Sequence, residues 1–127
     1  MSNPVESFFS CVGNGDAAAA LEFVHEGAVF EAQGPSSVPI YGIFKGHDGV
    51  KQFLATLSEL FDTEAFEFYK WAVADNYVFA HGYMRHRVKK TDRVFKCEWV
   101  LVCAVENGLI TSYKMFEDTA ALQAAYA

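Results

Sequence analysis

The strongest constraint in this chain is a period of two that runs from Tyr77 to Val105. The segment YVFAHGYMRHRV is followed by the polar KKTD and then by RVFKCEWVLVCAV. In the second half every odd position from Phe95 on is apolar: Phe95, Cys97, Trp99, Leu101, Cys103 and Val105. In the first half the mostly apolar Val78, Ala80, Gly82, Met84, His86 and Val88 share one parity, while His81, Tyr83, Arg85 and Arg87 share the other. Successive residues of a strand point to opposite faces. An alternation this long therefore predicts two long strands joined by a turn, with one apolar and one polar face. The polar face gathers His81, Tyr83, Arg85, Lys96 and Glu98, side chains able to exchange protons and hold ligand oxygens.

The rest of the chain fits around this hairpin. Val5, Phe8, Phe9 and Val12 recur at helical spacing after Pro4, and Gly13-Asn14-Gly15 ends that helix. Asp16 is a good N-cap for a second helix, AAAALEFVHEG, which makes a short helical hairpin with the first. AVFEA, residues 28–32, reads as a short strand, and GPSSVP, residues 34–39, as a turn-rich loop that could serve as a lid. From Asp48 to Phe61 the positions Val50, Phe53, Leu54, Leu57, Leu60 and Phe61 trace the apolar stripe of a long third helix. FEFYKWAV, residues 66–73, is rich in aromatics and reads as a strand. Asn107-Gly108 is a strong hairpin signal leading to the last strand, LITSYKMFE, and Asp118 or Thr119 caps a C-terminal helix. Helices early and a run of antiparallel strands late predict a single α+β domain over residues 1–127. The expected sheet is strongly curved, mainly antiparallel and wrapped around a long helix, with the N-terminal helical hairpin beside it, and would form a cone with an internal cavity.

Composition narrows the function classes. A formal charge of −6 argues against nucleic acid and against an anionic membrane surface. The three cysteines show no CxxC spacing, and the four histidines no ligand spacing, so neither a disulfide nor a metal site is expected. No cofactor motif of the GxGxxG or Walker kind occurs, and no cofactor is expected. No basic leader and no long apolar run is visible, which makes a cytoplasmic protein the expectation. The load of 12 Phe, six Tyr and two Trp suggests a ring-lined interior.

An ordered series of segments carries a resemblance. GNGD before the Ala-rich helix, AVFEA, FKGHDGVKQFL, VADNYVFAHG, CEWVLVCAVENGLI and the closing YKMFEDTAAL span nearly the whole chain. Together they resemble the nuclear transport factor two-like superfamily, in its SnoaL-like and ketosteroid-isomerase-like branch. That fold hosts isomerases, cyclases, dehydratases, epoxide hydrolases and binding modules. The resemblance places Ala32, with Glu31 beside it, where ketosteroid isomerases carry their general-base Asp. Phe8 stands in the place of their oxyanion-hole Tyr, and Glu98 in that of their second oxyanion donor. Lys96 and Glu98 are similar to the Arg and Asp of limonene-epoxide-hydrolase-like relatives, whose further Asp falls on Met115.

The resemblance also implies an orientation. The polar face of the hairpin, with His81, Tyr83, Arg85, Lys96 and Glu98, would turn into the cavity together with Tyr113 and Met115. Phe53 and Leu57 of the third helix would floor it. The apolar stripe with Trp99 and Leu101 would lie outside and pair with a second copy in a homodimer. On this reading Glu98 and His81 are the catalytic pair. Tyr83, Arg85, Lys96, Tyr113, Met115, Phe53 and Leu57 bind the substrate. Apolar strand neighbours favour Glu98 as a neutral acid, and Lys96 or Arg85 favour it as a carboxylate base; both place proton transfer there. The implied activity is cofactor-free acid–base chemistry on a small apolar, oxygen-bearing molecule of steroid-like, polyketide-like or terpenoid type. The alternative is a non-catalytic binding or dimerisation module of the same fold.

Overall fold

A computed structural model describes residues 3–127. The hairpin is its centre. Strand β4 (Tyr77–Val88) pairs antiparallel with β5 (Val94–Glu106), with Gly82 opposite Trp99 and Tyr83 opposite Glu98. On one side β5 pairs with β6 (Leu109–Phe116), and on the other β4 pairs with β3 (Phe61–Ala74). The strand β1 (Val24–Ala32) runs parallel to β6, and the short β2 (Gly42–Lys45) pairs with β1 at the edge. The order is β2-β1-β6-β5-β4-β3 in one curved, unclosed sheet. Register shifts within β3 and between Ala104 and Val105 bend the strands.

Helices α1 (Pro4–Gly13), α2 (Ala17–Leu21), α3 (Gly46–Leu60) and α4 (Thr119–Tyr126) complete the α+β domain. Three have side-chain caps: Asn3 bonds the amides of Val5 and Glu6, Asp16 that of Ala19, and Asp118 that of Ala121. The second helix is shorter than expected. It stops at Leu21 because Phe23 and Val24 are drawn into the sheet, where the Ile110 amide donates to the Phe23 carbonyl at 2.8 Å and Val24 is buried. The first strand is correspondingly longer, and Gly42–Lys45 adds the short strand β2 ahead of the third helix. The Asn107-Gly108 turn has both residues at positive φ, 51° and 76°, as a tight hairpin requires. The loop of residues 34–39 is anchored rather than free, since Val38 and Ile40 are both buried.

The two faces of the hairpin lie opposite to the orientation the resemblance implied. Trp99 is 1% exposed and Leu101 0%, and Phe95 and Cys103 are equally buried. This stripe faces inward and forms the core with Phe30, Phe53 and Tyr113. Trp99 and Leu101 are therefore unavailable to a dimer interface. The polar residues His81, Tyr83, Arg85, Lys96 and Glu98 occupy the outer face. The reason is ordinary burial: the interior takes the large apolar rings, and unpaired charges stay in water.

One polar group does go inside. His86 shares the inner face, stacks on Phe61 at 4.8 Å and meets the Thr63 hydroxyl through Nδ1 at 2.9 Å. Burial pushes its pKa from 6.5 down to about 4. A histidine held neutral in the fold and free to protonate when unfolded supports stability above pH 6.5. That support is lost as pH falls through the window to about 4. The loss is on the order of 3 kcal/mol. Denaturant titrations of the natural chain and of His86→Phe across this window should diverge by that amount, with the variant the flatter of the two.

Candidate functional site

Strand β6 turns Tyr113 and Met115 to the inner face, opposite Cys103 and Leu101. The same alternation carries Glu117, just past the strand end, inward beside Trp99, since Phe116 pairs with Val100. Across from it, the turn of residues 35–41 is closed by Val38 N–H to Pro35 and Tyr41 N–H to Val38, both at 3.1 Å. That turn presents a buried Tyr41, whose ring covers Gly34 closely enough that a side chain there would strike it. The Tyr41 hydroxyl donates to Glu117 Oε2 at 2.9 Å.

Burial raises the Glu117 pKa above its ordinary value; the Tyr41 hydrogen bond pulls the other way, and Asp118 adds to the rise. No cation partners this carboxyl among the described residues. Burial also raises the Tyr41 hydroxyl well beyond its normal range, with Glu117 next in effect, so Tyr41 stays a neutral donor. One oxygen of this carboxyl is fixed by Tyr41, and no hydrogen bond engages the other among the described residues.

The end of β6 leaves an open hollow of about 290 Å³, lined by His81, Glu98, Trp99, Val100, Phe116 and Glu117. Glu117 and Trp99 reach it from the inner face. His81 and Glu98 form its outer rim, joined through Nε2 and Oε1 at 2.7 Å. Their pairing matches the expectation, but their setting does not. The side chains are 44% and 67% exposed, in water rather than in a cavity. Arg85 is also on the outer face, bonded to Glu64 at 2.8 Å, and Arg87 joins the same carboxylate. Tyr83 is half-buried and Lys96 exposed on that face.

The other expected residues lie across the sheet. Phe53 sits 5.7 Å from Tyr113 and 5.9 Å from Phe30, centroid to centroid, and Tyr113 stacks on Phe30 at 4.4 Å. These rings fill the space between α3 and the sheet where a cavity floor had been expected. Leu57 and Met115 are half-buried against the same cluster. The expected residues thus fall into two groups on opposite faces. Tyr41 and Glu117, absent from the expected set, form a hydrogen-bonded pair in which Tyr41 is buried and Glu117 half-buried. Glu117 was legible as the next step of the Tyr113, Met115 alternation; Tyr41 carried no local signal. No group of three or more His, Cys, Asp or Glu able to hold a metal occurs among the described residues.

A family model described as the SnoaL-like domain matches residues 5–113. The chain belongs to the SnoaL-like domain family. Among solved structures, this SnoaL-like domain is similar to a nuclear transport factor two-like protein of Burkholderia xenovorans LB400. The two are 28% identical over 98% of this chain and 93% of that one, with a TM-score of 0.90. TerC, co-crystallised with polyporic acid, is 15% identical over 97% of this chain and 95% of its own, with a TM-score of 0.86. A Catenulispora acidiphila protein with a ketosteroid isomerase-like fold, in complex with trimethylamine, is 11% identical over 99% and 93%, with a TM-score of 0.81. At these last two identities the likeness is one of fold. No curated protein matches the chain.

Removing the Tyr41 donor tests the electrostatics of the pair. In Tyr41→Phe the bond that lowers the Glu117 pKa is gone while burial remains, so the carboxyl should titrate at still higher pH. Carboxyl-carbon NMR titration of the two chains measures this; an unchanged or lower midpoint would contradict the assignment.

Proposed function

We propose that this SnoaL-like domain takes up a small apolar, oxygen-bearing molecule and exchanges a proton with it at Glu117, without a cofactor. The observation that carries the reading is a desolvated carboxyl with a raised pKa, held by the Tyr41 hydroxyl at 2.9 Å and bordering an open hollow. Neutral Glu117 donates its proton to a carbonyl or enolate oxygen of the bound molecule. Tyr41 then stabilises the carboxylate left behind and keeps its orientation for the return transfer. Reactions of this kind are isomerisations, cyclisations or dehydrations next to a carbonyl. His81 and Glu98 contribute at the rim, where solvent screening leaves them a smaller share of the chemistry.

General acid–base groups are worth about 10²–10⁴-fold in rate. Gln at position 117 still accepts from Tyr41 but has no acidic proton. Once a screen of small ketones, enols and epoxides has supplied a substrate, Glu117→Gln should lose turnover by about that factor and keep its affinity. Full turnover in Glu117→Gln would remove Glu117 from the mechanism. The second reading, a non-catalytic binding module, is favoured by Ala32 at the position of the family base and by the solvated setting of Glu98. It expects binding without turnover in the natural chain.

The partner reading moves to the other face. Val100 and Phe116 are 44% and 46% exposed on the outer side, and Tyr69 and Tyr77 are similarly open. A second copy packed over these side chains would bury apolar surface that is costly to leave in water. The proposed homodimer therefore forms through Val100 and Phe116, in place of Trp99 and Leu101. Light scattering should give twice the chain mass for the natural protein and the single mass for Val100→Glu. A monomeric natural chain at micromolar concentration ends this reading.

A further inference from the structure

The charge of this chain is unevenly placed. The total is −6, yet six of the ten Lys and Arg fall within one short run at the turn end of the central hairpin: Arg85, Arg87, Lys89, Lys90, Arg93 and Lys96. Half as many carboxylates, Asp62, Glu64 and Asp92, make ion pairs with them. On the outer face the ladder sets Arg85 of β4 directly opposite Lys96 of β5. Like charges opposed on a strand pair repel and destabilise the sheet that carries them. Glu64 does not cancel this. It accepts the Nε donors of both Arg85 and Arg87, at 2.8 and 3.1 Å, and so holds the two guanidiniums side by side. Among the described residues both Nη groups of Arg85 stay unbonded and Lys96 makes no ion pair. Lys96 is exposed, and the Arg85 and Arg87 side chains are each more than a third exposed, so a guest from water reaches all three.

We infer that Arg85, Arg87 and Lys96 form an anion site on the outer face, and that the group it takes is the phosphate of a small phosphate monoester. A phosphate monoester carries close to two charges near neutrality and three acceptor oxygens, so one group can be shared by a guanidinium fork and an ammonium. A carboxylate brings one charge and two oxygens and answers less of the repulsion. Tyr83 stands two residues before Arg85 on the same face, half-buried, and offers its ring to the organic part of the guest. Glu98, opposite Tyr83 and bonded to His81 at 2.7 Å, bounds the positive patch on that side. The site lies four residues along β5 from Val100, roughly 13 Å away. It uses neither Glu117 nor the exposed Val100 and Phe116, so it rests on neither the acid–base reading nor the dimer.

Phenyl phosphate and benzenesulfonate share a ring and a tetrahedral oxyanion and differ in charge. At fixed ionic strength and about pH 8, two units above the second phosphate pKa of about 6, the first is a dianion and the second a monoanion. NMR titration of the full chain, followed at the backbone amides of β4 and β5, should saturate with phenyl phosphate and show it bound roughly fivefold tighter than benzenesulfonate. Arg85→Gln and Lys96→Gln should each weaken phenyl phosphate by about fivefold, the upper range for an exposed ion pair, and Lys96→Arg should keep the affinity. Lys114→Gln removes a cation from the same outer face, opposite Val102, and should leave the affinity unchanged. Because Lys96→Gln also removes the repulsion from Arg85, its thermal midpoint without ligand should equal or exceed that of the natural chain, so its loss of binding is not a loss of fold. A lower midpoint overturns the repulsion from which the site is argued. No saturable binding, equal affinity for the two compounds, or a loss in Lys114→Gln as large as in Lys96→Gln overturns the site. Glu117→Gln should bind phenyl phosphate as the natural chain does, so a failure of the acid–base reading does not register here.

Discussion

The contact that fixes everything else is the indole of Trp99 laid across Gly82. A side chain at position 82 would meet the Trp99 ring on one side and the Glu67 carbonyl on the other. Only glycine lets β3, β4 and β5 close over that ring. Once the indole is inside, stacked on Phe66 and edge-on to Phe68, the period of two leaves no choice for its neighbours. Leu101 and Cys103 follow it into the core. Glu98 and Val100 point out, and with them His81, Tyr83 and Arg85 across the ladder. The outer polar face is therefore a consequence of where one large ring had to go.

What was legible in the sequence was local. The helix caps at Asp16 and Asp118, the Asn107-Gly108 turn and the two-faced hairpin all follow from the preferences of a few adjacent residues, and all are present. The overshoot of the second helix marks where local preference loses. Its Ala-rich start propagates a helix, but Val24 gains more by pairing with Ile110 across a gap of 86 positions. The orientation of the hairpin shows a different limit. The alternation established that there were two faces; matching Glu98 to a family pocket acid then chose the wrong one to turn inward. Burial of the apolar stripe, the simpler criterion, gives the observed answer, because a face carrying Phe95, Trp99 and Leu101 outweighs one carrying Lys96 and Glu98 in any contest for the interior.

The site was less legible than the fold because its two halves are distant in sequence. Tyr41 and Glu117 are 76 positions apart, and nothing around Tyr41 distinguishes it from a loop tyrosine. Only the closure of the sheet, with β1 running parallel to β6, brings the turn after β1 against the end of β6. The residue types that had looked most chemical, a histidine and a glutamate opposite one another on a strand pair, meet as expected and yet sit in solvent. Chemistry of this kind depends on desolvation as much as on identity, and desolvation is a property of the assembled sheet.

On the proposed reading, opposing influences on the Glu117 carboxyl suit it to reversible proton exchange. A carboxylate taken out of water without a cation is unfavourable, and here burial and Asp118 both oppose ionisation. Were that the whole environment, the neutral form would be favoured further still. The Tyr41 hydroxyl opposes it with one directed bond to the ionised form, and Tyr41 cannot be drawn into ionising itself, because the same burial holds its own proton. The result is a carboxyl whose pKa lies above the ordinary value, set by burial against one directed hydrogen bond. Glu98 and its histidine partner, the more familiar pair by residue type, stand instead in solvent.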